Sequence, residues 1–66
     1  MQQVLITCDV NQLNYIQQNK LDWSFTPDLG NTEIDVKASV PSHLDGEEVT
    51  NHLGIDWTDV YNIEYI

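Results

Sequence analysis

Arginine is absent from the chain, and lysine occurs only as Lys20 and Lys37. Against eleven Asp and Glu residues this leaves a formal net charge of −9 over 66 residues. Charged residues are nevertheless only 20% of the chain, below the roughly 25% usual in soluble domains. The imbalance therefore owes as much to missing cations as to added anions. Binding to nucleic acid requires Lys or Arg to displace the counterions condensed on phosphates. Direct nucleic-acid binding is accordingly not expected, and anionic membrane surfaces are disfavoured for the same reason. The natural complement of such a chain is a basic surface on another protein.

Cysteine is nearly missing as well. Cys8 alone cannot form an intramolecular disulfide. No secretory signal pattern is visible, and no apolar run approaches the roughly 18 residues of a membrane span. A reducing, cytoplasmic setting is the expectation. Glycine occurs three times and makes no phosphate-cradling loop, and Ser24, Ser39 and Ser42 stand in no triad context. Cys8 falls on an apolar strand face, where a thiol behaves as a small hydrophobe rather than a nucleophile. The chain reads as non-catalytic, with no cofactor.

What is present argues for a folded protein. Hydrophobic residues make up 41% of the chain, with two Trp and three Tyr, too many for a disordered acidic tail. The length fits one domain over 1–66 and a small core, so association with a copy or a partner is a natural source of further stability.

Periodicity supplies the elements. "QVLITCDV" (3–10) is β-branched and suits a central strand, with Val4, Ile6, Cys8 and Val10 on one face. Asn11 is placed to cap a short helix, "QLNYIQQNK", with Leu13 and Ile16 on one side and Lys20 at its end. "LDWSFT" (21–26) alternates, with Leu21, Trp23 and Phe25 inward. "PDLGN" (27–31) carries turn residues, and "TEIDVKASV" (32–40) alternates again before Pro41. Residues 21–40 therefore predict a hairpin.

In "DGEEVTNHLG" (45–54), Asp45 and Glu48 have capping-box spacing, Val49 and Leu53 share a face, and Gly54 suits the C′ position. Asp56 is positioned to cap a further turn, "WTDV". "VYNIEYI" (60–66) alternates, and its Tyr61, Ile63 and Tyr65 row carries the larger apolar area, which places that row inward. The expected core comprises Val4, Ile6, Cys8, Trp23, Phe25, Ile34, Val36, Val49, Leu53, Ile63 and Tyr65.

The order strand, helix, strand, strand, helix, strand predicts an α+β protein. The expected form is a compact ferredoxin-like βαββαβ fold, a four-stranded antiparallel sheet in order 4-1-3-2 with two short helices on one face. Right-handed crossovers are expected. The other sheet face would then be open. It would carry Leu5, Asp9, Asp22, Glu33, Asp35 and Glu64 as candidate partner-binding residues, with Lys37 the only amine among five carboxylates. RNA-binding domains of similar topology place aromatic and basic residues on this face; this chain places neither there.

Leu5, Val60 and Ile66 are expected to form an apolar patch beside the acids, in the manner of a protein interface with a charged rim. A homodimer through that patch is a further expectation. A second acidic group, Asp45, Glu47, Glu48, Asp56 and Asp59, is explained by capping and the helix dipole.

The expected function is that of a non-catalytic protein-binding domain docking its acidic surface on a basic site. A short acidic chain of this kind suits a phage-type viral inhibitor that mimics nucleic acid. Two alternatives accompany it. One is a small accessory subunit whose acidity serves only solubility. The other is a metal- or small-ligand-binding module resting on His43, Glu48, His52 and Asp56.

Overall fold

The computed structural model describes residues 1–27 and 30–66. Four strands form one antiparallel sheet: β1 (Gln2–Asp9), β2 (Asp22–Phe25), β3 (Glu33–Val40) and β4 (Val60–Tyr65). Their order is β2-β3-β1-β4, so the two eight-residue strands, β1 and β3, lie in the middle. Two short helices, α1 (Leu13–Gln18) and α2 (Glu47–Leu53), complete an α+β fold.

The core follows from the strand alternation. Val4, Ile6 and Cys8 of β1 lie opposite Ala38, Val36 and Ile34 of β3. All but Ala38 are fully buried, and Ile16 of α1, Val49 of α2, Val40 and Ile55 join the same cluster. Both helices thus pack on the face of the sheet that carries this even-numbered row. The inward positions expected for β1 and β3 are the ones observed. Trp23, Leu53 and Ile63 pack around the cluster only partly buried.

Phe25 is the first exception. It stands opposite Ile34 and so faces the helical side, yet it is 42% exposed at the end of β2, an edge strand. Its ring meets Trp23 edge-on, with centroids 5.1 Å apart. Gly30 in the following turn adopts the expected positive φ of 62°. Asp28 and Leu29 of that expected turn lie outside the described residues.

The helix starts differ from expectation. A 3-10 turn over Val10–Gln12 precedes α1, and the capping carboxylate is Asp9, which accepts from the Asn11 amide at 2.9 Å. Asn11 is therefore inside the turn rather than its cap. Strand β1 runs to Asp9 itself, leaving that side chain at the first turning residue. The capping box at α2 does not form either. Gly46 occupies the N-cap at φ 56° without a side-chain bond, and the Asp45 carboxylate instead accepts from the Tyr65 hydroxyl at 2.6 Å. The turn at Asp56 is as expected: a 3-10 segment over Trp57–Asp59, with Asp56 accepting from the Thr58 amide.

Both helices end in the same way. At α2, Gly54 takes φ 81°, the Ile55 amide donates to the Thr50 carbonyl at 2.9 Å, and the Gly54 amide donates to Asn51 at 3.3 Å. At α1, Lys20 takes φ 58°, Leu21 donates to Ile16 at 3.1 Å and Lys20 to Gln17 at 3.2 Å. Each is a Schellman motif, in which a left-handed residue lets the chain satisfy the final carbonyls.

Strand β4 departs most from its expected phase. Tyr65, Glu64, Ile63 and Asn62 lie opposite Val4, Leu5, Ile6 and Thr7, but Cys8 is opposite Val60, leaving Tyr61 as an extra residue. This bulge flips the alternation. Tyr61 is consequently 57% exposed rather than inward, and Val60 packs against the core. Tyr65 does face the helical side but stays 45% exposed at the sheet edge.

Candidate functional site

The register fixes which side chains share the open face. Because directly paired residues point to the same side, four rows cross the sheet, one of them the uncharged pair Gln3 and Ser39. Asp22, Lys37, Leu5 and Glu64 form the first. Ser24, Asp35, Thr7 and Asn62 form the second, and Glu33 with Asp9 forms the third. All six expected partner-binding residues (Leu5, Asp9, Asp22, Glu33, Asp35 and Glu64) therefore lie on one surface. Neighbouring strands are about 4.8 Å apart, so the first row sets Asp22 and Glu64 on opposite flanks, roughly 14 Å from each other in backbone terms.

The five carboxylates are not equivalent. Asp9 accepts from the Asn11 amide at 2.9 Å and from the Tyr61 hydroxyl at 2.8 Å. These bonds, the backbone one foremost, hold its carboxyl below the ordinary range. The bond to Asp9 in turn pushes the Tyr61 phenol up, with smaller repulsive contributions from Glu33 and Asp59. Asp35 accepts from the Thr7 hydroxyl across the sheet at 2.7 Å. Asp22, Glu33 and Glu64, by contrast, make no side-chain hydrogen bond among the described residues. None of the three carboxylates is committed to a hydrogen bond among the described residues, and only Asp22 has an amine, Lys37, directly opposite.

Two features make the face electrostatically uneven. Glu33 and Asp9 stand directly opposite each other, an arrangement of like charges that destabilises an isolated sheet. Lys37 sits between Asp22 and Leu5 and complements its acidic neighbour. Shallow depressions of about 240 Å³ each flank it, one lined by Gln3, Asp22 and Ser39 and the other by Leu5, Ser24 and Asp35. That size is below the ~300 Å³ at which small-molecule pockets begin.

The expected apolar patch is only partly present. Leu5 is half-buried on the open side and Ile66 is 70% exposed, but Val60 faces the core opposite Cys8. The bulge is the cause, and the alternation of the sequence carries no sign of it.

The second acidic group has mostly structural work. Asp45 accepts from Tyr65, Asp56 from Thr58, and Asp59 from the Gln12 side chain at 2.8 Å. Glu47 and Glu48 occupy the first turn of α2, where negative charge suits the helix dipole. Among the described residues, no three His, Cys, Asp or Glu side chains come together to hold a metal ion. His43, Glu48, His52 and Asp56 thus do not form a shared ligand set. Cys8 is fully buried, and burial, reinforced by Asp9, Asp59 and Asp35, pushes its thiol up to about 11. Such a thiol is protonated and unreactive at neutral pH. Among the described residues, no helix is long and apolar enough to cross a membrane.

No protein-family model matches the chain, and no match was found among curated proteins or among solved structures.

Proposed function

We propose that this chain is a non-catalytic protein-binding domain that docks its open sheet face on a basic site of another protein. The observation that carries the reading is the strand register, which gathers Asp9, Asp22, Glu33, Asp35 and Glu64 on the uncovered side. Of the equal number of carboxylates around α2, three accept hydrogen bonds within the chain; the sheet face, with five carboxylates to one amine, complements a cationic partner. Basic sites on proteins commonly hold nucleic acid, so a docked acidic face excludes that ligand. The chain would then act as a competitive inhibitor resembling the phosphate backbone, in the manner of a phage-type cytoplasmic inhibitor. For the fold we propose a compact ferredoxin-like arrangement, supported by the order β4-β1-β3-β2 read from the β4 edge and by antiparallel pairing throughout.

A second reading has one observation in its favour. Asp9 and Asp35 already have partners within the chain, as they would in a small accessory subunit whose acidity serves only to keep it soluble.

Salt and competition separate the two. The immobilised chain, incubated with an extract of the cells that make it, should retain a Lys/Arg-rich protein at 50 mM salt (about 50 mM, where screening is weak). About 500 mM salt, duplex DNA or RNA should each release that protein. Retention indifferent to all three, or no retention, would contradict the docking reading.

A further inference from the structure

Strand β4 forms one edge of the sheet, and its outer side is unpaired among the described residues. Edge strands of natural proteins are usually guarded by charged side chains, especially Lys, by Pro, by β-bulges or by very short length. Strand β2, at the opposite edge, has four residues. Strand β4 has six, VYNIEY, with neither Lys nor Pro; its bulge at Tyr61 and the charge of Glu64 leave Asn62–Tyr65 as the regular stretch open to pairing. The segment 60–66 also carries three of the exposed large apolar side chains, Tyr61, Tyr65 and Ile66.

The backbone groups on the outer side can be identified. The Ile66 amide donates to the Gln3 carbonyl at 2.9 Å, and Tyr65 stands opposite Val4. In an antiparallel ladder this makes Val4 and Tyr65 a non-hydrogen-bonded pair. Tyr65 and Ile63 therefore turn their N–H and C=O groups away from β1, while those of Glu64 turn toward it.

We infer that β4 pairs antiparallel with β4 of a second copy, with the two-fold axis at Ile63, joining two sheets into one of eight strands. The charge pattern favours this register. With Ile63 opposite Ile63 of the second copy, Glu64 meets Asn62 on the open face, and the amide can donate to the carboxylate. Shifting the pairing by two residues, to put Ile63 opposite Tyr65, would instead set Glu64 against Glu64, a like-charge contact. The strand is thus complementary to itself with Ile63 opposite Ile63, repulsive with Ile63 opposite Tyr65, and only neutral, Asn62 against Asn62, with Ile63 opposite Tyr61.

The inference deepens the docking reading and rests on it for its functional meaning. A two-fold axis perpendicular to the sheet keeps both open faces on the same side. Five carboxylates per protomer become ten on a continuous surface roughly 34 Å wide, from seven strand spacings of about 4.8 Å. Such a surface would fit an extended basic groove better than a small cationic patch.

Sedimentation equilibrium of the intact chain tests this. Two protomers of charge −9 repel, so dimerisation should tighten on the order of tenfold between low and high salt as screening improves. Asn62→Lys places an ammonium opposite Glu64 and should tighten the dimer at low salt. Ser24→Lys changes net charge equally but lies on β2, at the far edge, and should tighten it less. Asn62→Glu should weaken the dimer at low salt and recover at high salt. Position 62 is exposed, so these variants should fold alike, which circular dichroism checks. A monomer throughout, or equal effects of Asn62→Lys and Ser24→Lys, would overturn the β4 pairing. Salt-sensitive capture of a basic partner by a monomer would leave the docking reading standing, and a dimer that captures nothing would do the reverse.

Discussion

At Lys20 and Gly54, two residues of opposite chemistry perform the same backbone task. Each sits in the left-handed region at the end of a helix, with φ of 58° and 81°. A side chain there costs roughly 1–2 kcal/mol that glycine avoids. Lys20→Gly should therefore raise stability by about 1 kcal/mol, despite the loss of a cation near a helix C-terminus. Gly54→Ala should lower it by at least as much, because a Cβ there would also overlap the Tyr15 ring. Chemical denaturation of both variants checks the pair; the same sign of change in both would contradict the left-handed assignment. Gly54 was legible in the sequence, but the burial of its neighbour was not read there. A Schellman end commonly places an apolar residue just beyond the glycine, and Ile55, 2% exposed, is that residue. Asp9 was harder to read. "DVN" offers two good capping residues two positions apart, and only the point where β1 stops decides between them.

At the scale of elements, alternation located β1 and β3 and the row each buries, because an unbroken strand has a period of two. The same rule misplaced the first half of β4. One extra residue at Tyr61 reverses the phase, and that residue is invisible without the partner strand. Strand β2 shows a second limit: alternation indicates a face but not whether anything covers it. Phe25 and Ile34 are cross-strand partners on the same side, yet Ile34 is fully buried and Phe25 is not. Ile34→Ala should cost about 2–5 kcal/mol, the range for emptying a packed core site. Phe25→Ala should cost clearly less, since much of its ring is already in water. Equal losses in urea unfolding would mean that β2 is covered in solution.

For the whole molecule, the open face was legible because β1, β2 and β3 keep their phase, which is enough to align Asp9, Asp22, Glu33 and Asp35. The division of labour among the carboxylates was not. It depends on Thr7 and Tyr61 reaching across strands to Asp35 and Asp9, and on where the chain turns. That division shows how net charge can be separated from charge placement. The carboxylates of Asp22 and Glu33 have no hydrogen bond to lose among the described residues, and the same holds for those of Glu47 and Glu48 on α2.

The most direct measurement compares two charge-matched double variants, Asp22→Asn with Glu33→Gln and Glu47→Gln with Glu48→Gln, in their association rate with the partner recovered at low salt. Each removes two negative charges, so any effect of overall charge is shared. Complementary charge at an interface chiefly accelerates encounter. The sheet-face pair should therefore slow association by about tenfold and flatten its salt dependence, while the helix pair should slow it little. Equal slowing would show that only net charge matters. Slowing by the helix pair alone would place the docking surface on the helical side and contradict the sheet-face assignment.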